Sequence, residues 1–520
     1  MTGTTAPTRQ GVSRRAFLRT GALAGMGAAA AVGPIADSLF AAPAHASGTF
    51  VSGDLDLHLL RRATYGLTSK TSSKIKSIGR AAWLEKQLAP EHIDDGFVDG
   101  FIADRFPRLA WSIKNVVDNL PGGAWDVMDD LAFASVLRAA WSKRQLFEVM
   151  VDFWSNHLNI TDPSSDVWAN RHDYDRSVIR AHALGKFSDM LAASATHPAM
   201  MLYLNNAEST KDAPNENYGR ELLELHTLGV GGGYDETDMR NSAVLMTGFQ
   251  IDWNTYGFRY NKWDHFVGPI DVAGFHSANG SASGGYAAGL AYVDYLAHHP
   301  STAAHIATKL VTRFVSDVPD ATLVAQLAQT YLDNDTAIKP LLRQLFSSPV
   351  FEASLGAKIR RPMEDVIATI RILGIKPDAA GVDGLEGLYW MIQGLGNAPM
   401  AWSPPNGYPD TADAWRSAGG ALGRWNAHMS LAAHWWPDQL QLPDLRSRFL
   451  STVPSTYGAY VQSLATQLTF KKFSAEHVAA VCALLGKTAT DKLGRSDPAV
   501  KQRLPYVVAL ILDSPYFQMR

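Results

Sequence analysis

Cysteine is all but missing from this chain: Cys482 stands alone among 520 residues, so no intramolecular disulfide can form. That excludes a small scaffold stapled in an oxidising compartment, and the core must hold without covalent help. Also missing, beyond the N-terminal segment, is any apolar run of about 20 residues, which excludes a helical membrane span in the body of the chain. Charge of one sign is lacking too. The formal charge is −3, and setting aside Arg9, Arg14, Arg15, Arg19 and Asp37 of the N-terminal segment takes it to −6. With no concentrated basic stripe, nucleic acid and anionic-lipid surfaces are excluded as main partners. There is no His-Glu-x-x-His, no cysteine cluster, no Gly-x-Ser-x-Gly elbow and no dinucleotide or haem-attachment fingerprint. Gly229 to Gly233 follows a helical pattern and lacks a Lys-Ser/Thr after it, so it reads as a helix stop and not as a phosphate loop.

What is present begins with an address. Ser13-Arg14-Arg15-Ala16-Phe17-Leu18-Arg19 is a paired-arginine segment, followed by a mildly apolar Ala/Gly stretch and the small residues of Ala44-His45-Ala46. This order predicts a twin-arginine signal over 1–46, cleaved near Ser47, and hence export of a folded chain to the cell envelope or outside. The export machinery is then one partner. The mature part, 47–520, is long enough and apolar enough, at 46% hydrophobic overall, to bury a large core.

Apolar residues recur at three- and four-residue spacing through most of the mature chain, which predicts an all-α fold with long Gly/Pro/aromatic-rich loops. Helices are expected over 54–65, 73–88, 131–158, 187–195, 217–228, 237–247, 303–315, 338–346 and 363–373. Two segments break the pattern, 250–300 and 394–420. Both carry tryptophans and tyrosines amid Gly, Pro and Asn, and irregular insertions of this kind serve as lids or binding loops. Trp253, Trp263, Trp402 and Tyr408 are therefore candidate binding residues for a sugar or another flat ligand.

Two ionisable side chains stand out when helical faces are drawn at about 100° per residue. On 217–228, Glu221 falls among Tyr218, Leu225 and Leu228, while Arg220 and Glu224 share the polar side as an i, i+4 pair. On 144–159, His157 falls among Leu146, Phe147, Val149, Met150, Phe153 and Trp154, opposite Glu148, Asp152, Ser155 and Asn159. A buried carboxylate and a buried imidazole invite three readings: a structural pair, a metal site or an acid/base centre. Asn215 offers an N-terminal cap to the helix that follows.

These residues lie in segments that resemble a known family. Pro214-Asn215-Glu216-Asn217-Tyr218-Gly219-Arg220-Glu221-Leu222-Leu223-Glu224-Leu225-His226-Thr227-Leu228-Gly229 is similar to the signature of the domain of unknown function 1800. So are Phe153-Trp154-Ser155-Asn156-His157, Ala183 to Phe187, His197 to Met200 with Tyr203 to Asn206, Lys309-Leu310 with Arg313 to Val315, Arg361-Pro362, and Pro405 to Pro409. The resemblance spans nearly all of the mature chain. It implies an exported, largely helical bacterial protein without an assigned reaction, often encoded beside a second exported family. Where many members carry His-Asp before a loop glycine, this chain has Asp264-His265. Two functions follow as expectations. One is a hydrolase using His157 and Glu221, with Asn156, Asn217 and His265 near them and a divalent metal as the cofactor to test for. The other is a non-enzymatic glycan-binding or assembly protein that acts through its aromatic loops with a companion exported protein.

Overall fold

A computed structural model describes residues 50–123, 125–164 and 166–520. The expected signal at 1–46 and its cleavage site lie outside them. Helices dominate, with two small antiparallel hairpins, Phe249–Asp252 with Gly257–Tyr260 and Ile270–Val272 with Phe275–Ser277. Buried apolar side chains from Phe50 to Phe517 form one continuous cluster. Among the described residues no helix is long and apolar enough to cross a membrane.

The periodicity locates most helices within a few residues: Leu55–Ala63, Phe187–Ala195, Ile338–Ser347 and Pro362–Leu373 lie where the apolar spacing puts them. Two expected long helices are each two. The span 73–88 divides at Gly79 into Ser69–Ile78 and Arg80–Gln87. The span 131–158 divides into Asp126–Trp141 and Gln145–His157 because Asp95, 48 residues upstream of Lys143, accepts from the Ser142 hydroxyl at 2.6 Å and the Lys143 N–H at 2.9 Å. That long-range clamp holds Ser142 in extended backbone and ends the first helix. The segment 250–300 is also more ordered than its composition suggests, since Gly285–Ala297 is helical behind the two hairpins.

One helix organises the polar interior. Pro300–Phe314 opens with His299 capping the Ser301 N–H and Pro300 in its first turn, then buries Ala303, Ile306, Ala307, Leu310, Val311 and Phe314. His305, Lys309 and Arg313 follow one another at i, i+4, i+8 and form a basic line along the same helix. Successive turns of this line meet different surroundings.

Candidate functional site

His157 is the last residue of Gln145–His157 and is 1% exposed. Its ring lies against Trp154, Phe187 and His305, with centroids 5.5, 5.6 and 5.8 Å away. The His226 carbonyl accepts from Nε2 at 3.0 Å, which leaves the lone pair on Nδ1, sealed and without a partner. Burial, then the charge of Lys309, holds this imidazole well below the ordinary histidine range.

The expected partner is elsewhere. Glu221 is half-buried, with its carboxyl raised by partial burial and by Glu224, and it makes no hydrogen bond or ion pair with His157. The face drawn for this helix was displaced. Tyr218, Leu222, Leu223 and His226 point inward, while Leu225 is only half-buried and Leu228 is buried beyond the helical run, where Thr227 has left helical geometry. The last five residues, Leu222–His226, form a π-turn, a widened stretch common at functional positions. The residue that this helix delivers to His157 is therefore His226. Arg220 pairs with Glu236 at 3.0 Å and reaches Glu216 at 3.9 Å, rather than Glu224. Asn215 caps as expected, accepting from the Asn217 N–H at 3.0 Å.

His226 is buried with Nε2 sealed and unpartnered, and burial followed by Lys309 pushes it down to about 3. His305 comes from the helix Pro300–Phe314. Its ring donates to the Leu225 carbonyl, its Nε2 is likewise sealed without a partner, and it is lowered to about 4 by burial and then by Lys309. The chain reaches it through Gly229, where a Cβ would stand 2.5 Å from His305 Nδ1 and where φ is +82°. Lys309, half-buried one turn further on, is brought down to about 8 by burial, with Asp410 the one opposing charge. The site is thus three buried or half-buried imidazoles, two of them turned on one side to backbone carbonyls of Leu225 and His226, each with one sealed, unpartnered nitrogen. Among the described residues no group of three or more His, Cys, Asp or Glu side chains is arranged to hold a metal ion.

The other nominated residues hold loops together. His265 is buried with both nitrogens committed, to the Thr247 carbonyl at 2.8 Å and the Asn279 side chain at 2.9 Å. Asn156 anchors the proline-rich loop by accepting from the Tyr408 N–H at 3.2 Å, and a Cβ on Gly407 would lie 2.1 Å from the Asn156 carbonyl oxygen. Asn217 is exposed in the first turn of its helix. Tyr408 is 8% exposed, its ring tilted at 48° against both Trp402 and Trp415, and the half-buried Trp402 donates its indole N–H to Asn406. Of the nominated binding residues, Tyr408 is the most buried. Trp253 and Trp263 are the exposed pair, at 61% and 71%.

Helical periodicity placed Glu148, Asp152, Ser155 and Asn159 together on one polar side. That side faces a second polar interior, with Glu148, Ser155 and Asn159 buried and Asp152 half-buried. Glu148 takes both arms of Arg180 at 2.7 and 2.9 Å. The hollow beside them, about 30 Å³ and lined by Tyr65, Asp152, Ser155 and Asp175, has room for a water and no substrate. A larger groove of about 510 Å³ runs over Phe147, but its Arg144 and Arg180 are already bound to Asp99 and Glu148. Further in, Glu364 joins Arg313 at 2.5 Å, Arg520 at 2.7 Å and Arg361 at 3.7 Å, while Asp152 pairs with Arg361 and Asp410 with Arg313 at 3.4 Å.

These features define a helical protein built on one large core, with a paired ionic cluster and an unpaired basic cluster on successive turns of one helix. The chain belongs to the family described as protein of unknown function, DUF1800, whose model matches residues 58–519. No curated protein and no solved structure matches it. Segments that carried the family resemblance come together here: Phe153 to His157, Phe187, His226 with Gly229, and Lys309.

Proposed function

We propose that the chain is an exported carbohydrate-binding protein whose contact surface is the hairpin Phe249–Tyr260 with Trp263. The carrying observation is the exposure of two indoles, Trp253 and Trp263, on a hairpin whose first strand anchors it to the core through Phe249 and Ile251. Trp253 follows the first strand and Trp263 lies three residues past the second, so a four-residue hairpin sets them roughly 13–17 Å apart. That spacing suits units two or three apart along a polymer better than one small ligand. Exposed indoles offer flat apolar faces with an N–H at the edge, the chemistry that stacks on pyranose rings, and Lys262 over the Trp263 ring at 4.7 Å adds a donor. The overall negative charge speaks against anionic polymers and for neutral glycans. Acid/base hydrolysis by His157 with Glu221 is the weaker reading, since the two side chains are unjoined and His157 is sealed.

Arg14 and Arg15 support export by the twin-arginine route. Affinity electrophoresis through gels containing neutral polysaccharides is the test of binding. Retardation by at least one polymer, lost in Trp253→Ala and Trp263→Ala, is the expected result; equal mobility in every gel overturns the reading. Export is checked separately, by fusing residues 1–46 to a reporter and replacing Arg14 and Arg15 with lysine, which should retain the reporter inside the cell.

A further inference from the structure

We infer, resting on the binding surface proposed above, that Arg259 and Asp264 determine its specificity by reading the free hydroxyl groups of a neutral polysaccharide. The sugar units they read lie between those that stack on Trp253 and Trp263.

Strand pairing sets Gln250 directly opposite Arg259, in the stretch between the turn end, which Trp253 follows, and the open end, beyond which Trp263 lies. Successive side chains of a strand point to opposite faces, so this pair is turned away from the side on which Phe249 and Ile251 enter the core. Four planar side chains are joined there. Arg259 Nη2 donates to Gln250 Oε1 at 3.2 Å, and Asn261 Nδ2 donates to the same oxygen at 3.3 Å and to Asp264 Oδ2 at 2.6 Å. Gln250 Nε2 closes the ladder by donating to Asp264 Oδ2 at 2.8 Å. Asn261 Oδ1 also accepts from the Trp263 N–H at 3.2 Å, which ties the ladder to the second indole. None of the four is buried: Arg259 is exposed and the other three are half-buried.

The bonds that the ladder makes to itself leave a complementary pair of groups over. Of the five N–H donors of a guanidinium, Arg259 spends one on Gln250, and Asp264 Oδ1 accepts no hydrogen bond among the described residues. Sugar hydroxyls both donate and accept, so they can give a proton to Asp264 and take one from Arg259. Bonds with one charged partner are the stronger kind. Gln250 and Asn261 are positioning residues: they fix both charged side chains before a ligand arrives, which removes an ordering cost from binding. The carboxylate also sets what is refused. A uronic acid or a sulfate ester brings a negative charge to Asp264, and an O-methylated sugar has no proton to give it, although its ring faces still stack.

Affinity electrophoresis of the full chain through β-glucan, galactomannan and starch gels, repeated with the O-methylated form of whichever polymer retards it, tests this. Arg259→Gln and Asp264→Asn should each weaken retention about ten-fold with the circular dichroism spectrum unchanged. Wild type should bind the methylated polymer about as weakly as Asp264→Asn binds the parent, and the two changes together should cost little more than either. Arg259→Gln gives up one hydrogen bond from an exposed side chain, so it keeps the test sound even where Asp264→Asn disturbs the hairpin. Retention that is lost in Trp263→Ala but untouched by Arg259→Gln and by methylation overturns the roles of Arg259 and Asp264 and leaves the stacking surface standing. Equal mobility in every gel removes that surface, and their roles with it.

Discussion

The helix Pro300–Phe314 carries two basic residues one turn apart whose circumstances are opposite. Arg313, at its C-terminal end, is surrounded by Glu364, Asp410 and Asp152 within 2.5 to 3.6 Å. Lys309 has three histidines for neighbours and no partner of its own. Both sites place charge inside the protein, where an unpaired ion is costly and a paired one is roughly neutral. The lesson is that pairing separates the roles: the Arg313 end ties distant segments together, from Asp152 to Arg520, while the Lys309 end keeps a stability deficit that a fold alone has no use for.

The comparison can be broken most severely at Glu364. Glu364→Ala takes away the carboxylate paired with the buried Arg520 and one of the carboxylates around Arg313 and Arg361, and should lower unfolding free energy by about 3–5 kcal/mol in urea denaturation. Next comes Gly229→Ala, whose methyl group meets His305 in a backbone conformation foreign to alanine; about 1–3 kcal/mol should be lost in the same measurement.

A pH series sharpens the contrast further. His226 and His305 sit near 3 and 4 when folded and near 6.5 when unfolded, so the unfolded chain binds more protons in between, and their contribution is lost as pH falls from about 6.5 towards 4. Asp162, pushed up to about 7 by burial, opposes part of that loss. His428, set against Asp513 at 2.7 Å and Asp365 at 3.3 Å, is raised to about 9, so its contribution is full below about 6.5 and disappears as pH rises through 9. Denaturation midpoints should therefore fall on both sides, with His226→Gln flattening the acid limb and His428→Gln the alkaline one. The smallest expected effect on stability is at the surface. Trp253→Ala and Trp263→Ala should stay within about 0.5 kcal/mol of wild type while polysaccharide binding is lost.

Helical periodicity made most of this fold legible, because each amphipathic stripe is a local property of ten or so residues. The break at Ser142 was not legible: its cause is Asp95, brought in by tertiary folding. His157 was found because its neighbours on the helix are uniformly apolar. His226 was missed because Leu225 and Leu228 drew the face of the helix away from the side that Leu222 and Leu223 bury. A signal for the rest did exist, in the i, i+4, i+8 line of His305, Lys309 and Arg313, which places three basic residues beside an apolar stripe. Nothing local could reveal the partners of that line. Arg313 and Arg520 are 207 residues apart, and the carbonyls that orient His157 and His305 belong to a different helix.

The central claim is that the paired end holds the fold and the unpaired end does not, and one side-by-side measurement addresses it: urea denaturation of Lys309→Met and Glu364→Gln at about pH 7. Lys309→Met, which removes a half-buried charge without a partner, should leave the midpoint unchanged or raise stability by about 1–2 kcal/mol, while Glu364→Gln loses several. A Lys309→Met variant destabilised as much as Glu364→Gln would contradict the account.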